Sequence, residues 1–525
     1  MTDKTYQTIA MVIYLLAMIG IGLWAYRKND SVDDYILGGR QLHPAVAALS
    51  AGASDMSGWL LMGLPGALYA HGLIESWIAI GLTAGAWLNW KFVAPRLRSY
   101  TEVSHNSITV PSFLDSRLRD SSHALRIVSG VVILFFFTFY VSSGLVAGGI
   151  FFEAAFGTSY LTGMLLIAVV TILYTLLGGF LAVSWTDLVQ GIMMLLALVF
   201  VPIVGLVTVG GPSAAISSAQ NINPNLHSFV GGDTLSLAGI IGIFSALAWG
   251  LGYFGQPHII VRFMALRQPS EAKPARRIGI GWMVISILGA MGTALVGIAW
   301  ADQSGAGLLD NPEQVFIYMG QILFHPFIAG FMLAAILAAI MSTISSQLLV
   351  SSSALVEDIY AVFLSKNVSK RSGVMLSRGA VIVISMIAAL LAVSPSDTIL
   401  QLVAFAWAGF GGAFGPIILL SLFWRKLTTQ GALVGMVTGA LTVVIWSNLS
   451  GGIFDLYEIV PGFIANVTIA VVASLLTYRP NSIITAEFDA ALMLVRNWED
   501  RDRAIDKVRE VHSKDHYTAR STREQ

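Results

Sequence analysis

Asp55 carries the strongest chemical signal in the chain. It sits inside Ser50-Ala-Gly-Ala-Ser-Asp-Met-Ser-Gly58, about halfway along an apolar run, whereas Glu75, Glu153, Asp187, Glu357 and Asp358 fall in connecting stretches or near the ends of such runs. A charge at that depth is costly and marks a functional site by default. No lysine, arginine or histidine is expected at similar depth in another apolar run, so a cation from solution could neutralise it. The competing reading is a carboxylate that caps a broken helix through hydrogen bonds. Gly52, Ser54, Ser57 and Gly58 favour a break there, and small residues would equally serve close helix packing. An unwound stretch exposes carbonyl oxygens to a cation, and the next half-helix offers its N–H groups to an anion.

A second interruption lies at Ala248-Trp-Gly-Leu-Gly-Tyr-Phe-Gly-Gln-Pro257. Three glycines and a proline so close together cannot hold a straight helix. Ala339, Ser342, Thr343 and Ser346 follow at i, i+3, i+4 and i+7, one helical face. Their hydroxyls could complete the oxygen shell of a hard cation such as sodium, or bond back to their own helix. Trp59, Tyr140, Trp249, Tyr253 and Phe254 lie close to the presumed cavity and suit an apolar ring, with lipid-facing packing as the plain alternative.

The elements that must position these residues are membrane helices. Of 525 residues, 56% are hydrophobic and 11% charged, against about 25% charged in soluble proteins. Lys+Arg and Asp+Glu both total 30, and cysteine is absent, which excludes disulfides and thiolate chemistry. Runs of about 20 apolar residues cross a bilayer as helices. Thirteen are expected, near 7–26, 44–70, 74–94, 124–156, 159–179, 188–210, 234–256, 277–300, 325–356, 375–394, 397–424, 429–449 and 457–478. Basic residues collect after spans 1, 3, 7, 9 and 11 (Arg27, Lys28 and Arg40; Arg96, Arg98, Arg117 and Arg119; Arg262, Arg267, Lys273 and Arg276; Lys366, Lys370 and Arg371; Arg425 and Lys426), and only Lys4 falls on the other side. That alternation predicts an N-terminus outside and a C-terminus inside. Span 1 is expected to be retained, because its basic flank follows it, the reverse of a signal peptide. The domain reading is a membrane unit over 1–480 and a charged cytoplasmic tail over 481–525, with Asn497–Gln525 solvated and partly disordered.

The two interruptions fall in spans 2 and 7, five spans apart. Two inverted repeats, spans 2–6 and 7–11, would each open with a broken helix, the sequence pointer to a transporter site. An ion channel would need a repeated filter motif, and none is seen. An enzyme is not supported either: His-Glu-x-x-His, Gly-x-Ser-x-Gly and a P-loop lysine are all missing. No signalling domain that would suggest a receptor follows span 13.

Five stretches resemble the sodium/solute symporter family: residues 34–42 (Asp-Tyr-Ile-Leu-Gly-Gly-Arg-Gln-Leu), 51–66, 178–187, 249–258 and 338–343 (Ala-Ala-Ile-Met-Ser-Thr). Within the family the likeness is greatest to its proline-carrying bacterial branch, over about residues 7–478. The resemblance implies an all-α fold of thirteen transmembrane helices around a leucine-transporter-type core, in the bacterial inner membrane. It implies sodium held by carbonyls of Ala53, Met56 and Ala339 and hydroxyls of Ser342 and Thr343. It implies a role in sodium coupling for Asp55, and in proline binding for Tyr140, Trp249, Tyr253 and Pro257; Ser57, Gly58 and Trp59 are added as neighbouring backbone. The expected activity is sodium influx coupled to L-proline uptake by alternating access, with another small solute as the alternative. The expected partners are sodium, proline and the lipid bilayer, with no nucleic acid and no obligate protein partner.

Overall fold

The structure is a computed structural model that describes residues 2–26, 40–104, 106–232, 236–364, 370–395 and 397–521. Residues 34–39 of the first resembling stretch, with Arg27, Lys28 and Lys366, lie outside the described residues. Among the described residues the chain is helical, and its one β-bridge joins Leu42 to Leu266. Ten helices among the described residues are long and apolar enough to cross a membrane. Their outer faces carry exposed Leu16, Met375, Leu390, Ile445 and Leu476, side chains that water would penalise and lipid would accept. The chain is a multi-pass membrane protein.

Expected spans 2, 3 and 5 are not among those ten, so that count does not reach thirteen. The reason is local. Span 2 is divided into Pro44–Gly58, a π-helical Trp59–Gly63 and Leu64–His71. Span 3 is divided likewise into Ser76–Leu88, Asn89–Val93 and Ala94–Val103. The Tyr160–Leu176 stretch is apolar but short. Each piece falls below the length of a continuous crossing helix.

The region between spans 5 and 6 departs from expectation. Helix runs from Tyr160 to Thr208 with a single sharp break at Gly179, φ 58°. A straight helix of that length would extend about 70 Å, more than twice the hydrocarbon thickness, and glycine adopts this φ at little steric cost. Helix therefore resumes at once, and Asp187 is fully buried within it.

Pro326–Ser353 is the central rod. Every residue from Met332 to Leu349 is buried, and the rod packs against spans 1, 2 and 4 and the Tyr160–Thr208 helix. Its alanines and serines keep these neighbours close. Span 7 is Leu237–Ala248, a 3₁₀ stretch Trp249–Gly255 and Pro257–Met264. The 3₁₀ stretch is wedged between span 3 and Ile399–Phe423, the helix of span 11. A Cβ on Gly85 would lie 2.2 Å from the Gly250 carbonyl, and one on Gly255 would lie 2.2 Å from that of Phe410. Backbone meets backbone there.

The tail also differs from expectation. Ser482–Arg496 and Arg501–Ser521 are helices. Phe488, Leu494, Ala504 and Val508 are buried, and both helices pack on Ala94–Val103.

Candidate functional site

Span 2 breaks beside Asp55. Ser57 has φ 38° and ψ −165°, a strained backbone for a residue with a Cβ, at a cost of about 1–3 kcal/mol. A bond across the bundle holds it: the Ser57 N–H donates to Thr343 Oγ1 at 3.0 Å. Ser342 Oγ donates to the carbonyls of Ala53 at 2.8 Å and Ala339 at 3.0 Å. Thr343 Oγ1 lies 3.1 Å from the Ala339 oxygen and 3.5 Å from that of Ala53.

Four of the five expected sodium ligands thus converge, two carbonyls and two hydroxyls from spans 2 and 9. All four residues are buried. The O–H bonds that join them can be exchanged for a cation, since each hydroxyl keeps lone pairs to turn inward. The fifth, the Met56 carbonyl, accepts the N–H of Trp59 at the break and has no bond to the other four among those described.

Seven of the eight expected substrate residues, all but Pro257, form an adjacent group. The Tyr253 hydroxyl donates to Asp55 Oδ2, so a phenol from span 7 meets the carboxylate of span 2. Tyr140 of span 4 faces Asp55, Ser57 and Tyr253. Gly58 packs against span 4, where an added Cβ would meet that of Ala147 at 2.9 Å. The Trp59 and Trp249 rings are 6.3 Å apart and form an aromatic wall. Pro257 stands at the start of Pro257–Met264 and lines a small cavity with Ile133, Phe180 and Val261. It sets where the helix resumes.

Three neighbours were not anticipated from the sequence. Trp407 Nε1 donates to the Trp249 carbonyl at 2.8 Å, and its ring meets Tyr253 edge-on at 5.1 Å. Tyr457 stacks on Trp249 at 5.4 Å. Asn89 Nδ2 donates to the Tyr253 carbonyl at 2.8 Å. The unpaired backbone of the 3₁₀ stretch is therefore satisfied by side chains of spans 3 and 11. No local pattern marks these residues, because each acts across more than fifty positions of sequence.

A fourth feature was misassigned. Arg262, expected in a loop, is buried on Pro257–Met264, and Asp187 pairs with it at 3.2 Å with both side chains at 0% exposure. Its spacing of four from His258 in an otherwise apolar helix was the available signal.

Beyond the apolar runs, Glu102 pairs with Arg98 at 2.7 Å and with Arg501 of the tail at 2.5 Å. Burial pushes the Glu102 carboxyl up, but the hydrogen bonds and charges of the two arginines outweigh it and hold it below the usual range. Arg98 also donates to the carbonyls of Leu266 and Arg267 at the end of span 7. Glu313 accepts the N–H groups of Ile399 and Leu400, capping span 11, and burial pushes its carboxyl up.

An interrupted pair of helices, a polar cage and an aromatic wall are the parts of a transporter, and residues 35–439 match the sodium:solute symporter family. The chain belongs to that family. Two bacterial relatives of this symporter cover almost all of it. The high-affinity proline transporter PutP of Bacillus subtilis (strain 168) is 54% identical over 473 residues, 90% of this chain and 98% of the relative. The sodium/proline symporter of Salmonella typhimurium (strain LT2) is 49% identical over 494 residues, 94% of this chain and 97% of its own. Among solved structures, that of a Na+-coupled sialic acid symporter in a substrate-bound outward-open state matches with a TM-score of 0.75 and 20% identity, over 90% of this chain and 98% of the other. That likeness shows the fold, and with it the leucine-transporter-type core that the family resemblance implied.

Proposed function

We propose that this symporter couples the entry of sodium to the uptake of L-proline by alternating access in the bacterial inner membrane, without chemical change to the solute. The observation that carries this reading is the convergence of Ala53, Ala339, Ser342 and Thr343 oxygens beside the break in span 2, in a chain about half identical to named proline transporters. Sodium enters that cage, with the Met56 carbonyl turning in as the fifth ligand. It ties span 2 to span 9 and so fixes the backbone at Ser57. Proline then sets its carboxylate near the N–H groups at Ser57, Gly58 and Trp59. Its ring lies against Trp59, Tyr140, Trp249 and Tyr253, with Pro257 fixing the half-helix beyond them. Asp55 links the two events, because the ordered cation offsets the carboxylate that Tyr253 otherwise satisfies. The N-terminus faces outward, residues 1–480 form the membrane unit, and residues 481–525 lie in the cytoplasm.

One sodium ion crossing ~100 mV gains ~2.3 kcal/mol, and a tenfold sodium gradient adds ~1.4 kcal/mol. Their sum supports proline accumulation on the order of several hundredfold. Radiolabelled proline uptake into proteoliposomes, with and without an inward sodium gradient, tests the proposal. Concentrative uptake that needs the gradient supports it. Uptake of a different solute but not of proline would move the substrate assignment and leave the sodium reading in place.

A further inference from the structure

Span 12, Thr429–Trp446, begins where span 13, Ile459–Thr477, ends, and Thr428 Oγ1 and Thr477 Oγ1 lie 2.8 Å apart across that junction. Four residues then lead into the tail helix Ser482–Arg496. These ends enclose a cavity of about 550 Å³, lined by Arg425, Gln430, Leu476, Tyr478, Arg479 and Thr485 among others. Among the described residues no aspartate or glutamate lines it. Arg425 engages Asp489 of the tail through Nη2 alone, in a pair exposed on both sides and therefore weak. The Arg479 guanidinium and the Gln430 amide have no hydrogen-bond or ion-pair partner among the described residues. Lys426 adds a positive charge close by, its Nζ 5.8 Å from the centre of the Tyr478 ring. The helices Thr429–Trp446 and Ser482–Arg496 both start at this cavity, and their N-terminal dipoles add a field of the same sign. The outer wall is apolar. Leu476, in the last turn of span 13, is 82% exposed, and Tyr478 is exposed two residues on: a leucine facing lipid, followed by an aromatic ring at headgroup level.

We propose that this cavity is a binding site for the headgroup of an anionic phospholipid: Arg425 and Arg479 share its phosphate, Gln430 donates to its glycerol oxygens, and its acyl chains lie along Leu476. Guanidinium groups present forked donors that match phosphate oxygens. A basic cavity between the ends of membrane helices is the kind of place where acidic lipid headgroups are held. A soluble phosphate would satisfy the same donors but would leave the apolar wall unused, whereas a lipid satisfies both. The walls come from span 12, span 13 and the first turn of the tail helix. A bound lipid therefore staples the tail to the membrane unit at the opposite end from the Arg501–Glu102 pair. The attachment of the tail then depends on the charge of the bilayer around it.

The test titrates the purified full chain in detergent with phosphatidylglycerol or phosphatidylcholine and counts retained lipid by native mass spectrometry. The unaltered protein should retain one phosphatidylglycerol in preference to phosphatidylcholine. Arg479→Gln, at an exposed residue without a partner, leaves the fold intact and should weaken that binding about fivefold, and Arg425→Gln with Arg479→Gln about twenty-five-fold. Arg277→Gln removes the same charge from another exposed basic position and should leave it unchanged within about twofold. If Arg277→Gln weakens retention as much as Arg479→Gln does, the lipid answers only to overall charge and the site is overturned. Unchanged retention in both cavity variants overturns it equally. Glycerol 1-phosphate is the soluble competitor: displacement of the retained lipid at millimolar concentration would assign the cavity to a soluble phosphate instead and overturn the lipid reading. The staple has its own readout, hydrogen exchange of the Ser482–Arg496 amides in phosphatidylcholine vesicles with and without phosphatidylglycerol. Exchange should slow at least about threefold with the acidic lipid in the unaltered protein and not in Arg479→Gln. Equal exchange of the unaltered protein in both vesicles overturns the staple.

Discussion

Replacing Ser342 with alanine removes the hydroxyl that lies nearer to both carbonyls of the proposed cage, Ala53 at 2.8 Å and Ala339 at 3.0 Å. Without sodium the loss is two neutral hydrogen bonds, one of them back to the residue's own helix turn, so stability should fall by about 1 kcal/mol. With sodium the loss is a direct oxygen ligand, comparable to a hydrogen bond to a charged group at about 1.5–3 kcal/mol. At about 1.36 kcal/mol per decade, the half-saturating sodium concentration should rise roughly 10- to 150-fold. Uptake at saturating sodium should be largely preserved. The assay is initial proline uptake across a sodium titration in proteoliposomes, with ionic strength held by choline. Thr343→Ala provides the contrast, because Thr343 Oγ1 also accepts the Ser57 N–H at 3.0 Å. It should weaken sodium binding and, by freeing the strained residue beside Gly58, weaken proline binding even at saturating sodium. The reasoning is refuted if Ser342→Ala keeps the normal sodium titration, or if the two variants respond alike.

Asp55→Asn keeps the bond from Tyr253 but removes the charge. Sodium-driven uptake should fall at least about a hundredfold, the loss of some 3 kcal/mol expected for a buried charge deprived of its role, while thermal stability in detergent stays level or rises. Gly85→Ala forces a methyl to within 2.2 Å of the Gly250 carbonyl. Backbone has to move, so the variant should lose about 1–3 kcal/mol and melt several degrees lower by fluorescence-detected size-exclusion chromatography. The tail contact predicts a pH profile. The Glu102 carboxyl lies below its ordinary value in the folded protein, so its contribution is complete above the unfolded value and is lost as pH falls through the depressed one. Protease resistance of the Ser482–Ser521 region should be flat from about pH 8 to 5 and decline only below the usual carboxylate range. A decline centred near pH 6 would contradict the assignment. Arg501→Ala should release the tail at every pH; because Arg501 is 47% exposed, the cost stays near 1 kcal/mol or less.

The sequence made some of this legible because the signals were local. A carboxylate among small residues, three glycines before a proline, and the hydroxyls of Ser342, Thr343 and Ser346 on one helical face announce a broken helix and a polar face wherever they occur. The structure brings Ala53, Ala339, Ser342 and Thr343 together as those signals imply. Arg262 was hidden by the rule that found the topology, since counting basic residues toward loops presumes that each one faces water. Asp187 was hidden with it: residues 180–187 fell between the expected spans 5 and 6, whereas one positive φ at Gly179 makes the turn and the helix resumes. Trp407, Tyr457 and Asn89 act across the fold on a backbone whose path had first to be known. The tail misled through its composition: three of its charges, Glu487, Asp489 and Arg501, pair with Arg119, Arg425 and Glu102 of the membrane unit.

Where Gly81, Gly85, Gly250 and Gly255 let main chain lie on main chain, the contact is indifferent to the side chains on either neighbour. Trp249 and Tyr253 project from that same stretch, so the walls of the pocket can be rewritten by mutation without refitting the seam beneath them. Such a scaffold separates two evolutionary rates. The seam is frozen by geometry, because any added carbon collides, while the lining is free to drift toward a new cargo. A lineage built on it would diversify in what it carries long before it diversified in how it moves.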